Sequence, residues 1–287
     1  MKTVSRWLAV VIGVMVVTQA WAGTAPREPA KPAPTKPAAA PAKPTAAKRT
    51  PAKPAAPGRP LRLINLDLQG RKGPLPANEY QEIKAVIVYL EPDILVLHNV
   101  LRSAGESAGK PLPKLTSSLE MYYAFQPLTD TVGSALITRH PISQATYLAD
   151  ASGAAVGMQM TVRPSKGESY SVLVVRPPNL ATSKAATGVV VSALKQDPGA
   201  QYLLLASFSP ETSVTGAVKA WSKAGLFDPG ARLGKMSATY PGEKPKERLD
   251  VIMVSAGLRE GAKCRVVREP RYGKLSAHLP VEVTLSP

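Results

Sequence analysis

The chain has 287 residues, with 36 Lys and Arg against 20 Asp and Glu and a formal net charge of +16. Cys264 is its only cysteine, which excludes an internal disulfide and a cysteine-built metal centre. A basic balance of this size is compatible with phosphate-bearing partners but selects none of them.

The N-terminus reads as a secretory leader over residues 1–22. Lys2 and Arg6 precede the apolar segment Leu8 to Val17, and Ala20-Trp21-Ala22 offers small residues for cleavage before Gly23. That apolar segment is short of the roughly 20 residues a bilayer span needs, although an uncleaved anchor is the rival reading. Residues 23–60 form an Ala/Pro/Lys-rich segment with eight basic residues against Glu28 alone. Prolines every few positions forbid a continuous helix, and no apolar face exists to bury, so a disordered, extended tether is expected. It reads either as a solvated spacer or as an electrostatic tether to an anionic envelope polymer, a lipid surface or nucleic acid. Export without disulfides suits a bacterial periplasmic or secreted protein. Residues 61–287 are long enough for one domain with a substantial core, in which Cys264 is expected to be a buried, inert thiol.

Within that domain, Leu61 to Leu68 reads as a strand and the loop "GRKGP" follows it. Asn78 is placed to cap a helix whose Ile83, Val86, Ile87 and Leu90 make an i, i+3, i+4, i+7 stripe. "ILVLHNV" reads as a buried strand, and a polar stretch runs from there to about Ser118. Strands are then expected in "MYYAFQPL", "SALITRH", "ATYLAD", "VGMQMTVRP" and "YSVLVV". "TGVVVSALKQ" reads as a helix, "YLLLAS" as a buried strand, and Ser209-Pro210-Glu211 as the start of a helix through "AVKAWSKAGL". "RLDVIMVS" and "LPVEVTL" close the chain as strands. Strands in pairs and threes without strict alternation with helices predict layered α/β architecture rather than a simple doubly wound sheet.

In order and spacing these segments resemble the endonuclease/exonuclease/phosphatase family, which includes pancreatic-type deoxyribonuclease and exonuclease III-like repair nucleases. The resemblance runs through "LRLINLDLQG", "LEPDILVLHNV", "VGSALITRHPI", "YSVLVVRPPNL", "YLLLASFSP", "TYPGEKPKERLDVIMVS" and "SAHLPVEV". It implies a four-layer α/β sandwich with two central mixed β-sheets. It also implies a phosphoric-ester hydrolase site, with a divalent ion, usually Mg²⁺, held by carboxylates and a histidine oriented by an aspartate.

Set against the family's pattern, the site is depleted. Asp67 stands at an asparagine position, and Asn99 stands where a glutamate binds metal, so an amide oxygen without charge replaces the main anionic ligand. Arg176, Pro177 or Pro178 takes the place of a catalytic His or Tyr, depending on alignment. Asn179 matches a phosphate-contacting asparagine of the repair-nuclease branch. Ser207 and Ser209 replace the Asp and Asn of a Gly-Asp-x-Asn element, and Ala277 replaces the Asp before the final histidine. Asp250 and His278 remain as a vestigial catalytic dyad, able to act as a base or to persist as a structural hydrogen bond. His98 and His140 read as surface or satisfied residues.

Three carboxylates are thereby lost from one site and Asp67 restores one, so the sequence points to a pseudoenzyme that needs no cofactor and serves as an envelope binding or scaffolding module. The alternative is a divergent phosphodiesterase, nuclease or phosphatase using Asp67, Asp250 and His278 with Mg²⁺. A third reading is an anionic-polymer binder working through the basic tether.

Overall fold

The computed structural model describes residues 59–69, 77–101, 111–129, 132–164, 168–177, 179–212, 214–269, 272 and 275–286. The expected leader, the tether up to residue 58 and the "GRKGP" loop lie outside the described residues.

Among the described residues, twelve strands form two six-stranded sheets. The first contains β1 (Leu61–Asp67), β2 (Ile94–Leu101), β3 (Tyr122–Pro127), β4 (Val132–Thr138), β11 (Ala262–Val266) and β12 (Val281–Leu285), in the order β11-β12-β1-β2-β4-β3. The second contains β5 (Ile142–Ala149), β6 (Ala155–Val162), β7 (Tyr170–Val175), β8 (Gln201–Ser207), β9 (Leu226–Phe227) and β10 (Asp250–Ser255), in the order β5-β6-β7-β8-β10-β9. Among the described strands, each sheet has one parallel pair, β1 with β2 and β7 with β8. Parallel neighbours need a crossover, supplied by helix α1 (Ala77–Leu90) in the first sheet and α3 (Leu180–Gln196) in the second. All other pairings among the described strands are antiparallel, so both sheets are mixed.

Alternation along the strands builds the layers. One set of side chains, including Leu63, Val96, Leu136, Met160, Val174, Leu205, Ile252 and Val283, meets between the two sheets. The opposite face of the first sheet packs on Ile83, Val86, Ile87 and Leu90 of α1 and on Leu112 and Leu115 of α2 (Pro111–Ser118). The opposite face of the second sheet packs on α3 and on α4 (Val214–Lys223), whose Trp221 is fully buried with its ring centroid 5.9 Å from that of Phe208. Helix, sheet, sheet and helix follow in order, which is the four-layer α/β sandwich with two central mixed sheets.

At Gly133 in β4, an added Cβ would collide with the Gln126 carbonyl and the Phe125 ring, so the β3–β4 pair closes only over a residue without a side chain.

Four local expectations change. Helix α1 begins at Ala77, which places Asn78 inside its first turn rather than at the cap. Within the stretch read as polar, α2 forms on two apolar anchors, a pattern too short to register as a helical stripe. Ser209 does not cap a helix: its carbonyl takes the bond from the Thr212 amide, its hydroxyl has no partner among the described residues, and α4 starts at Val214. Strand β11 carries little signal in the sequence because only Ala262, Cys264 and Val266 face inward, and the outward Arg265 pairs across the ladder with Glu282 at 2.7 Å.

Candidate functional site

The inter-sheet space changes character along its length. The period-two pattern that places Leu63, Val96, Leu136, Val174, Leu205 and Ile252 in the apolar part continues to Asn65 and Asp67 on β1, His98 on β2 and Ser134 on β4. It likewise continues to Arg176 after β7, Ser207 on β8 and Asp250 on β10. All of these polar residues are buried. The register puts Asp67 beside His98 and Ser207 beside Asp250. Seven polar side chains in one closed space require a nearly complete hydrogen-bond network, because an unpaired buried polar group costs about 1–3 kcal/mol.

Asp67 is the centre of that network. Its Oδ1 accepts from the Gln69 amide at 2.8 Å and from Asn99 Nδ2 at 2.6 Å. Its Oδ2 accepts from Arg176 Nε at 3.0 Å and from Ser207 Oγ at 2.6 Å. A carboxylate offers about four lone-pair directions, and here all four are used by the protein itself. Burial works to raise the Asp67 pKa, but the Arg176 guanidinium, the neighbouring imidazoles and the Ser207 hydroxyl outweigh it and hold the carboxyl well below its usual range. The guanidinium is fixed in turn, with Nη1 donating to the Pro177 carbonyl at 3.0 Å and Nη2 to Gln69 Oε1 at 2.9 Å.

Asn99 reaches Asp67 from a bulge in the β2–β4 ladder, where the register shifts between Leu97 and Val100. Its backbone is left-handed at φ 54°, a conformation asparagine tolerates better than most residues. The bulge aims the amide nitrogen, rather than an oxygen, at the carboxylate.

The dyad is present as a contact. His278 Nδ1 lies 2.8 Å from Asp250 Oδ2, and both residues are fully buried. Burial opposes a charge on the imidazole, but the Asp250 carboxylate and its hydrogen bond prevail and raise the His278 pKa. The Tyr240 ring stands over His278 with centroids 5.1 Å apart. The loop carrying Tyr240 is tied to the histidine's own segment by Gly242 N to Ala277 O at 2.7 Å and Leu279 N to Thr239 O at 2.9 Å. Among the described residues, His278 Nε2 and Asp250 Oδ1 are buried without a hydrogen-bond partner.

Beside the dyad, Asn65 Nδ2 donates to the Ala206 carbonyl at 2.8 Å, which links the two sheets, and its Oδ1 lies 3.0 Å from His98 Nε2. Nε2 must therefore carry the His98 proton, and Nδ1 accepts from Ser134 Oγ at 3.0 Å. Burial pushes the His98 pKa down to about 4, so the ring is neutral at ordinary pH. His98 is a satisfied interior residue. His140 is also buried, 3.7 Å from Asp93, so neither histidine is at the surface. Asn179 lies apart from this network, exposed at the N-cap of α3, where its Oδ1 accepts from the Thr182 amide at 3.0 Å. Cys264 is partly buried, and burial pushes its thiol up to about 12, consistent with an inert role.

Asp67, Asp250 and His278 each offer a ligand atom within 4.8 Å of the others. By distance alone they can share one cation, which the divergent-hydrolase reading required. Charge and donor chemistry oppose it. Mg²⁺ takes six oxygen ligands at about 2.0–2.1 Å, whereas Asp67 has no free lone pair and Asn99 presents its N–H. At ~5 Å and an effective dielectric of ~20, repulsion between a divalent ion and the guanidinium is about 7 kcal/mol. As folded here, the residues do not fit a resident Mg²⁺.

Arg176 is the residue that sequence reasoning left without a role. The signal was an arginine directly after the buried apolar run "YSVLVV", in register to follow Val172 and Val174 into the space between the sheets.

No protein-family model and no curated protein matches the chain. Solved structures do. The 3′ phosphatase NExo from Neisseria, bound to product DNA hairpin, is similar at TM-score 0.63 and 15% identity, over 79% of this chain and 100% of that one. An endonuclease/exonuclease/phosphatase family protein from Leptotrichia buccalis is similar at 0.61 and 15%, over 79% and 100%. An AP endonuclease from Archaeoglobus fulgidus is similar at 0.61 and 12%, over 78% and 99%. At such low identity the likeness concerns architecture, and on that ground the chain has the endonuclease/exonuclease/phosphatase fold.

Proposed function

We propose that this chain is an exported protein of endonuclease/exonuclease/phosphatase architecture that has given up metal-dependent phosphoester hydrolysis and serves as a binding or scaffolding module of the cell envelope. The observation that carries the reading is the saturated Asp67 carboxylate, with Arg176 as its ion-pair partner and Ser207, Asn99 and the Gln69 amide as its remaining donors. Metal stabilisation of the phosphoryl oxygens contributes several kcal/mol in such chemistry. An aspartate–histidine base without it lacks the larger electrostatic contribution. Here the His278 and Asp250 pair acts as a buried bond joining β10 to the segment before β12. Leader and tether features of the sequence support export and a position at an anionic surface.

One observation favours a second reading, a divergent phosphoric-ester hydrolase using Mg²⁺. The ligand atoms of Asp67, Asp250 and His278 are close enough to share an ion. An assay of the purified chain separates the two, using duplex DNA, single-stranded DNA and a small phosphomonoester with Mg²⁺ or Mn²⁺. The expected result is no release above background with any substrate. Sustained turnover that disappears in His278→Ala would establish the hydrolase reading in its place.

A further inference from the structure

We propose that Arg176 is a built-in cation that keeps a latent divalent-metal site shut, and that removing its charge lets Asp67, Asp250 and His278 seat an ion. This rests on the reading above, in which the native domain works without one.

Three observations carry it. First, the strands already bring the three candidate ligands together, each offering an atom within 4.8 Å of the others. Second, only one of the three is fully spent. Asp250 Oδ1 and His278 Nε2 are buried with no partner among the described residues, so neither group has its full bonding capacity used by the protein. Asp67 alone has its acceptor capacity consumed, with the guanidinium on Oδ2. Third, Arg176 is held in place by three separate acceptors, on Asp67, Gln69 and Pro177, so it acts as a fixed charge rather than a side chain sampling the site. It is 5% exposed, so the fixed charge lies within the buried cluster itself.

Without the guanidinium, Oδ2 keeps only the Ser207 hydroxyl, which rotates freely and can turn its lone pair towards an ion. The resulting set is two carboxylates, an imidazole and a hydroxyl. Mixed oxygen and nitrogen donors suit Mn²⁺ better than Mg²⁺.

The test uses the full chain with Arg176→Ala and Arg176→Gln, and Mn²⁺ as the probe, read by electron paramagnetic resonance and thermal denaturation. Both variants should bind Mn²⁺ at least tenfold more tightly than the wild type and gain Tm with it. Adding Asp67→Asn to Arg176→Ala should abolish the binding. If either variant is unfolded alone, a cooperative transition restored by Mn²⁺ supports the proposal, and no restoration in both overturns it. Folded variants that bind no Mn²⁺, beside a wild type that neither binds nor hydrolyses, overturn the latch and leave the ion-free domain standing. A wild type that binds Mn²⁺ as tightly as the variants overturns both.

Discussion

At the scale of single residues, ionisation in the polar part of the inter-sheet space decides how the domain responds to pH. His98 is neutral and bonded at both nitrogens, with its pKa pushed down to about 4 by burial. Between pH 6.5 and about 4, the unfolded chain takes up a proton that the native ring refuses. Stability therefore falls on that limb by up to about 3 kcal/mol. His278 has the opposite sign. Its native pKa is raised, so its contribution is complete below pH 6.5 and is lost as the pH climbs through the native value. Asp67, held low, adds a loss confined to pH below 3.8. Urea unfolding across a pH series should show greatest stability near neutrality. In His98→Gln the fall between pH 6.5 and 4 should flatten, and an unchanged slope there would remove His98 from the account.

At the scale of elements, the same polar side chain does different work according to where the backbone puts it. Asn179 sits at the N-cap of α3 in a reciprocal pair: its Oδ1 takes the Thr182 amide and the Thr182 hydroxyl takes the Asn179 amide. Two of the helix's orphan donors are satisfied this way. Replacing it with alanine should cost about 1 kcal/mol and Asn179→Ser much less. Both are measurable as shifts in the urea midpoint. α3 is the crossover that makes β7 and β8 parallel neighbours, so the cap supports the register carrying Arg176 and Ser207 to the same level. Strand "ILVLHNV" shows a related effect. Its pattern predicts burial correctly, yet the bulge after Leu97, not the pattern, turns the Asn99 N–H towards Asp67.

At the scale of the whole molecule, charge is spread unevenly along the chain, with eight basic residues and a single acid in residues 23–60. If the partner is an anionic envelope polymer, a lipid surface or nucleic acid, attraction through that segment is screened over about 10 Å at 0.1 M salt. Deleting residues 23–60 should then weaken retention on a polyanion column and reduce its dependence on salt. Retention unchanged by the deletion would confine binding to residues 61–287. Among the described residues, no helix is long and apolar enough to cross a membrane.

Much of the fold was legible because burial writes itself as periodicity. The stripe of α1, the alternation in β1 and the continuous apolar runs of β7, β8 and β10 each identify an element without reference to its neighbours. Helix α2 and strand β11 were not legible, since each has only two or three inward residues and takes its stability from the sheet it joins. The candidate site divides along the same line. That Asp250 and His278 are kept in the C-terminal part of the chain, and that Asn99 lacks a charge, follows from residue identity. That Asp67 is saturated, that Arg176 is its counter-ion from 109 positions away, and that His98 must carry its proton on Nε2 depend on side chains from different strands meeting. A residue's chemistry is a property of the chain. Whether its lone pairs are free is a property of packing, because only the assembled sheets determine which donor reaches each oxygen first.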